Sequence, residues 1–496
     1  MGPRTPGAAN AAPGTGSARL WALLCVLAGN MLIDALEVST AVVALPAVAE
    51  HFALPITSAH GLMTAFALGF GGLMLFGLRM VAVLGRRRVY LWALVVFLLA
   101  SVAGGLTDSP ELLMATRFVK GFCAALTAPT GLAIIAGAFP EGAARNRAFS
   151  LYTLFGACGF TGGLLVGGAA TEISWRLVFL LPAAAVLVLF VFGLRLIPPD
   201  DGPTGASPPV PGGRRRLGVG AALACCGALS AFSYGIVSLS YGRERAVVGL
   251  LGVAAGFVLL AVLRRRDSRA AEPIVVPAVS GHRPLRRAAL SAAALNGSYL
   301  GLLLVLTLRL QTVQHLSPLQ AALALAPASA PLAVTALFSG RLIARFGTAR
   351  LIAVGTPAPL AGYLLVLWTD ASTGYLAGTL PVLLLVAAGF VLAFGALNAQ
   401  AMDGLPTAHR GAAGGLYQAA VQTGAVLSLS AVAALLAAFR PRGAASAAAV
   451  VAAQRPALAV VALIGAVGVA AALAPRAARP RRLARGTSAR RNVPTR

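Results

Sequence analysis

Apolar runs of about 20 residues, the length a helix needs to cross the hydrocarbon core of a bilayer, recur along nearly the whole chain. A water-soluble fold cannot hide so many: with 58% hydrophobic and 11% charged residues over 496 positions, the apolar surface exceeds what its cores can bury. Lipid is therefore the solvent. In lipid every backbone group has to be satisfied within its own segment, so the runs are helices. Residues 1–18, built largely from Gly, Pro, Ala, Ser and Thr, lead into an apolar stretch longer than a signal h-region and lacking a small-residue cleavage site, so the first helix is expected to be retained.

Runs bounded by Arg, Pro, Gly or acidic residues fall at 20–49, 58–84, 89–107, 110–138, 147–170 and 176–196, then at 217–240 and 246–263, and finally at 288–310, 318–342, 349–369, 376–402, 411–439 and 456–475. These fourteen spans group as six, two and six. They divide the chain into an N-terminal tail (1–19), a first bundle (20–196), a linker (197–216), an extra pair (217–263), a basic linker (264–287), a second bundle (288–475) and a basic tail (476–496). With the N-terminus placed inside, most of the 40 Lys and Arg fall in cytoplasmic segments, as the positive-inside bias requires, and both termini lie in the cytoplasm. Arginine outnumbers lysine overwhelmingly and alanine is abundant, a composition that suits a GC-rich bacterium and hence its plasma membrane.

The formal charge of +26 does not signify nucleic acid, because the basic residues sit between apolar runs rather than in patches interleaved with aromatics. Cys25, Cys123, Cys158, Cys225 and Cys226 lie inside apolar segments, show no CxxC spacing and have no matching His cluster, so no metal site is expected. No nucleophile–base set or phosphate loop is present. The chain is expected to be neither an enzyme nor directly ATP-driven, and to need no cofactor.

The two halves echo each other. The turn after the second span ends in Gly85, Arg86, Arg87 and Arg88, and the turn after the tenth in Gly347, Thr348, Ala349 and Arg350. Superposing Gly85 on Gly347 aligns Arg79 with Arg341, Ala82 with Ala344 and Arg88 with Arg350, the internal repeat of a transporter.

Of the 14 acidic residues only Asp34 and Glu37 lie well within a span. Each costs about 2.5–3.5 kcal/mol near the bilayer centre, so both need a reason to be there. They share one face of the first helix and are placed to share or exchange a proton. On the fourth span Arg117 and Lys120, the only lysine in the chain, have the same spacing. The rise of about 1.5 Å per residue puts all these charges in the same half of the membrane. Two readings follow: a proton-coupling element, in which motion between Glu37 and the Arg117/Lys120 pair switches proton affinity, or a static ion-pair network locking the first span to the fourth.

Several segments resemble the fourteen-span drug:proton antiporters of the major facilitator superfamily, over nearly all of Leu20 to Pro475. The stretch from Leu36 to Pro46 is similar to the family's first-span motif, with Glu37 at the place normally held by Asp. Arg117-Phe118-Val119-Lys120-Gly121 resembles the fourth-span motif Arg-x-x-Gln-Gly, whose arginine is implicated in proton transfer, with Lys120 in place of Gln. Gly156, Gly159, Gly163, Gly167 and Gly168 resemble the glycine-rich antiporter motif. Ser174-Trp175-Arg176 and the segment Leu316 to Ala321 are further landmarks. Two positions depart: Ala82 stands where the family carries an Asp that stabilises the outward-facing state, and Leu164 where it has Pro. The resemblance implies an all-α major facilitator fold, two six-helix bundles plus two extra helices set to one side, that exchanges protons for small organic molecules and acts as a monomer.

A binding cavity is then expected between the bundles near mid-depth. Asn30, Asn296, Tyr299, Asn398, Gln400, Tyr417, Gln418 and Gln422 are its polar or aromatic candidates, each equally able to serve as an interhelical hydrogen bond. Such a cavity suits hydrophobic or amphipathic substrates. Asp34 and Glu37 favour cations and Lys120 pulls the other way. A drug or secondary-metabolite exporter, a carrier of a specific physiological solute and a degenerate membrane sensor are the three functional alternatives.

Overall fold

In the computed structural model, residues 15–199, 218–270, 273, 277–370, 373–441 and 446–474 are described. The 476–496 tail and most of the 1–19 tail and the 197–216 linker lie outside them. Among the described residues the chain is helical throughout its ordered elements. Thirteen helices are long and apolar enough to span a membrane, and a pair bent by 47° makes a fourteenth.

The first six are α1 (Thr15–His51), α2 (Gly61–Leu84), α3 (Arg86–Leu106), α4 (Pro110–Ala138), α5 (Ala143–Ile173) and α6 (Leu177–Leu196). The extra pair is α7 (Val219–Ser238) and α8 (Arg243–Ser268). The second six are α9 (Arg283–Leu308), α10 (Pro318–Ala328 with Ala330–Phe346), α11 (Thr348–Leu367), α12 (Tyr375–Met402), α13 (Thr407–Ala438) and α14 (Ala447–Leu473). The bend in α10 falls between Pro327 and Pro331, where two missing N–H donors break the ladder. Helix α14 begins well before Pro456, where the apolar run in the sequence starts, and carries that proline inside it.

Local signals explain the ends. Ser109 caps α4, accepting from the Leu112 N–H at 3.2 Å, with Pro110 in its first turn. Ser317 and Gln320 form a capping box at the start of α10. Gly85 between α2 and α3 has φ 90°, and Gly347 between α10 and α11 has φ 77°, both in the region that favours glycine. The repeat seen in the sequence thus recurs as backbone geometry. It also extends further: Thr107 and Asp108 stand in the same register to Gly85 as Thr369 and Asp370 to Gly347. Asp108 pairs with Arg176 before α6, and Asp370 pairs with Arg455 of α14 at 2.8 Å. Each bundle therefore ties its third-to-fourth turn to its sixth helix through an aspartate.

The side on which α1 begins is called here the near side, and that on which it ends the far side. The N-terminal bundle has a near-side core of its own, from Leu23 to Ile33 of α1 with Val89, Phe97, Ile135 and Tyr152. The far half of α1, from Ala41 to Val48, belongs instead to one continuous core with α9, α10 and α12. The Gln311 side-chain amide donates to the Val43 carbonyl at 3.0 Å across the bundles, and Glu172 at the end of α5 accepts from the Leu319 N–H at 3.3 Å and from the Ser317 hydroxyl. The halves are fused on the far side, and α2 and α13 stay packed well toward the near side, where Gly415 meets Leu75 and Leu78.

The extra pair is not simply set aside. Helix α7 rests on the seam between the bundles, with Cys226 against Gly72 of α2 and Ser233 hydrogen-bonded to Ser430 of α13 at 2.7 Å. Only α8 is peripheral: it packs on α7, and its outer face, including Leu250, Leu251 and Phe257, is exposed. Tyr234 and Tyr241 are exposed as well, as interfacial anchors would be.

The glycines of α5 set how closely it meets α1. A Cβ at Gly163 would lie 2.8 Å from the Leu36 Cα and closer still to the Ser39 hydroxyl, whereas one at Gly162 meets nothing within 4 Å. Gly163→Val should therefore destabilise the purified protein by about 1–3 kcal/mol through overpacking, read as a fall in Tm, while the neighbouring Gly162→Val leaves Tm unchanged.

Candidate functional site

Helix α1 presents two faces, and they do different work. Gly156 meets Met31, Gly159 meets Leu32 and Ala35, Gly163 meets Leu36 and Ser39, and Gly167 meets Thr40, so this face carries α5 at backbone distance. Helix α5 runs unbroken through Leu164, the position at which the motif's proline is missing. Gly168 turns instead to Leu319 and Ala322 of α10, in the other bundle. The second face of α1, with Asn30, Asp34 and Glu37, looks toward α4.

Glu37 is 1% exposed and ion-paired to both Arg117 and Lys120, themselves 1% and 0% exposed. Arg117 takes the Oε2 atom and Lys120 the Oε1. Arg117 also donates to the Glu37 carbonyl at 2.8 Å and to the Leu62 carbonyl of α2 at 3.0 Å, so its guanidinium is spent on three acceptors. Its plane lies 5.0 Å from the Phe66 ring. Lys120 has no acceptor beyond Glu37 among the described residues. Its ammonium lies 5.0 Å from the Phe97 ring centre and 5.5 Å from that of Phe179, so aromatic faces take the place of water. The i,i+3 spacing of Arg117 and Lys120 is what lets both reach one carboxylate.

Gly121 makes this possible. A Cβ there would collide with the Phe66 carbonyl, and one at Gly69 with the Phe118 carbonyl, so α2 and α4 cross in backbone contact and hold Arg117 against Leu62.

Asp34 keeps different company. It is buried, and its Oδ2 accepts from the Asn30 amide at 3.1 Å and from the Thr127 hydroxyl at 2.9 Å. The two carboxylates sit one turn apart yet share no partner. Asn30, a candidate for the binding cavity, is thus engaged with Asp34.

The other cavity candidates fall into three groups. Tyr299 is buried at the junction of the bundles, its ring 5.6 Å from Phe160 of α5 and 4.7 Å from Phe390 of α12, and its hydroxyl has no hydrogen-bond partner. Asn296 donates to the Val421 carbonyl at 3.3 Å, Gln422 packs against Gly71, and Tyr417 is buried with an unpartnered hydroxyl, so these line the contacts of α13 with α9 and α2. Gln418 is half-buried beside them. Asn398 is exposed and Gln400 half-buried near the end of α12. The structure brings the first two groups toward mid-depth and leaves the third at the near side.

The turn after α2, with Ala82 in place of an acid, is not left without acceptors. Arg86 donates to the Ala133 carbonyl at 3.2 Å, and Arg87 to the Leu194 carbonyl in the last turn of α6 at 2.8 Å. The Leu194 carbonyl lies at the negative end of the α6 dipole, which suits the arginine it meets. Arg88 is exposed.

Sequence reading missed Thr127, the rings of Phe97, Phe179 and Phe66, and Phe160 with Phe390 around Tyr299. None carries a signal on its own, because a threonine or phenylalanine in a membrane helix is ordinary. Among the described residues no group of three or more His, Cys, Asp or Glu is arranged to hold a metal.

Comparison with known proteins places this architecture. The family model of the Major Facilitator Superfamily matches residues 27–429. The chain is 32% identical over 424 residues to the puromycin resistance protein pur8 of Streptomyces alboniger, covering 83% of this chain and 80% of that one. It is 30% identical to the cephamycin export protein CmcT of Amycolatopsis lactamdurans, over 79% of this chain and 80% of the other. With the multidrug efflux pump LfrA of Mycolicibacterium smegmatis it shares 27% identity over 85% and 82%. Among solved structures, a bacterial homolog of the human lysosomal transporter Spinster superposes with TM-score 0.63 at 18% identity, covering 93% of this chain and 97% of that one.

The geometry of the charges ranks their substitutions. Glu37→Gln strands two buried cations and should cost about 3–5 kcal/mol, whereas Lys120→Gln leaves Glu37 neutralised by Arg117 and should cost clearly less. Thermal unfolding of the purified variants checks the order, and equal Tm losses would contradict it.

Proposed function

The chain belongs to the Major Facilitator Superfamily, and from that premise we propose that it is a proton-coupled antiporter exporting hydrophobic or amphipathic small molecules, drugs or secondary metabolites, across a bacterial plasma membrane. That it is a multi-pass membrane transporter follows from the family and from its apolar helices. Relatives named for puromycin resistance, cephamycin export and multidrug efflux support the direction and the substrate class. The arginine-rich near side is taken as cytoplasmic, by the positive-inside bias.

The observation that carries the coupling is the buried set of Asp34, Glu37, Arg117 and Lys120 between α1 and α4. A rigid scaffold has no need of four charges at this depth, where each costs several kcal/mol unless paired, and burial of ionisable groups in a transporter marks a proton path. Tyr299, Phe160 and Phe390 form an aromatic wall at the junction of the two bundles, fitted to flat apolar groups. A carrier of one physiological solute is the second reading. The degenerate-sensor reading rests on Ala82 and Leu164, and flux by the wild type would decide against it.

Ethidium movement in everted membrane vesicles tests the proposal. Imposing an inside-acid gradient should drive ethidium uptake by wild type, and Glu37→Gln should reduce it to the level of empty membranes. Absence of gradient-driven ethidium, puromycin or cephamycin movement in the wild type would sink the exporter reading.

A further inference from the structure

Resting on that proton-coupled reading, we propose that Asp34 is the group that takes up and releases the proton, while Glu37 stays ionised between its two cations.

Both oxygens of Glu37 are committed, Oε2 to Arg117 and Oε1 to Lys120, and its main-chain carbonyl holds Arg117 a second time. Protonating Glu37 would leave two positive charges without a counter-charge in a site closed to water, the most unfavourable outcome open to a buried ion pair. Asp34 is under no such obligation. Its donors, Asn30 and Thr127, are neutral, and it makes no ion pair among the described residues. A carboxylate buried on neutral donors alone has no cation to hold it ionised, so taking up a proton there removes a buried charge instead of stranding one.

Thr127 supplies the means. Its hydroxyl has one proton and three acceptors in reach: Asp34 Oδ2 at 2.9 Å, the Cys123 carbonyl at 3.1 Å and the Ala124 carbonyl at 3.4 Å. With Asp34 ionised, Thr127 donates to the carboxylate. With Asp34 protonated, the new O–H donates to the Thr127 oxygen, whose own proton turns to the Cys123 carbonyl. One hydroxyl rotation keeps every group hydrogen-bonded in both forms. The proton resides on the Asp34 carboxyl, and no other bond is made or broken.

The surroundings add no competing cation. Besides Glu37 on its own helix, the ionisable side chains that sense Asp34 are Cys123 of α4, Tyr90 of α3 and Tyr152 of α5, all uncharged when protonated, and the Tyr152 hydroxyl is tied to the Ala128 carbonyl at 3.0 Å. On α4, Arg117 and Lys120 are spent on Glu37. On α2 and α6, Arg79 and Arg195 stand toward the near-side ends. Asp34 also lies one turn nearer the near side than Glu37, next to Ile33 of the N-terminal bundle's own core and short of Ala41, where the shared core begins. It sits between the bundle's own core and the core shared by both bundles.

Infrared difference spectra between about pH 6 and about pH 9, above the range in which exposed carboxyls titrate, on protein reconstituted in lipid, test the assignment without any substrate. A carboxylic-acid C=O band should appear in wild type, vanish in Asp34→Asn and survive in Glu37→Gln. Should Glu37→Gln fail to fold, Thr127→Val serves instead: it leaves the Glu37 ion pairs intact and should shift the pH midpoint of the band. A band that survives Asp34→Asn, a wild type with no such band, or a midpoint unmoved by Thr127→Val would overturn the proposal. Ethidium flux run alongside separates it from the reading it rests on. Gradient-insensitive flux in wild type sinks proton coupling and with it the carrier role, whereas gradient-driven flux with a band independent of Asp34 sinks the assignment alone.

Discussion

Two cations closed on one carboxylate, away from water, fix the N-terminal bundle. Once Glu37 is clamped by Arg117 and Lys120, α1 cannot rotate about its axis without exposing three charges to a low-dielectric interior, and its other face is then aimed at α5. The glycines of α5 are the complement of that orientation: with no side chains between them, α5 seats directly on Met31, Leu36 and Thr40. Charge sets the azimuth of α1, and small residues set its distance from α5. On the opposite side of α4 the same logic holds in reverse, since Gly121 and Gly69 let α2 approach until its Leu62 carbonyl can accept from Arg117.

The far-side fusion of the bundles follows from where α1 ends. From Val38 to Ala49 the helix carries only apolar and hydroxyl residues, and the apolar ones from Ala41 to Val48 belong to the same core as α9 and α10. Before Asp34 it is packed within its own bundle. The charge cluster therefore sits at the boundary between a shared core and a private one, a natural place for a pivot. The ties at the far side are hydrogen bonds of modest strength, Gln311 to Val43 and Glu172 to the first turn of α10, which rocking of one bundle on the other can break and remake. Helix α7, seated on both α2 and α13, must slide on at least one of them in any such motion.

Much of this was legible in the residues. Span number and the six-two-six grouping come from apolar run length alone, because lipid permits little else. The charge cluster was legible because acids are so costly in membrane that two of them on one helix face, opposite two bases at matching spacing, imply contact. Setting Glu37 against Arg117 and Lys120 was part of that reading, whereas the neutral company of Asp34 was not legible: only the depth and azimuth of α4 bring it to Thr127. The bend of α10 at Pro327 and Pro331 and the seat of α7 on the bundle seam depend on packing between distant segments, which apolar periodicity does not encode. The candidates Asn30 and Asn296 turned out to be hydrogen-bonded to other helices or to Asp34, the more ordinary use of an amide in a membrane.

Against the family pattern the buried set holds one additional acid and one additional base, Asp34 and Lys120, and the four charges sum to zero. That balance gives the proton a sign to act through. With Asp34 ionised the set is neutral; with Asp34 protonated it carries one net positive charge, held in place by the Glu37 clamp. At about 10 Å and an effective dielectric near 20, one unit charge alters the binding of a cationic substrate by about 1.7 kcal/mol, more than tenfold in affinity. Under the proposed coupling, protonation of Asp34 would weaken the hold on a cationic substrate and deprotonation would restore it, as exchange requires. Lys120 makes the effect one-directional: because Glu37 is doubly paired, it cannot trade its proton affinity against that of Asp34, and the whole change in charge is delivered at one carboxyl.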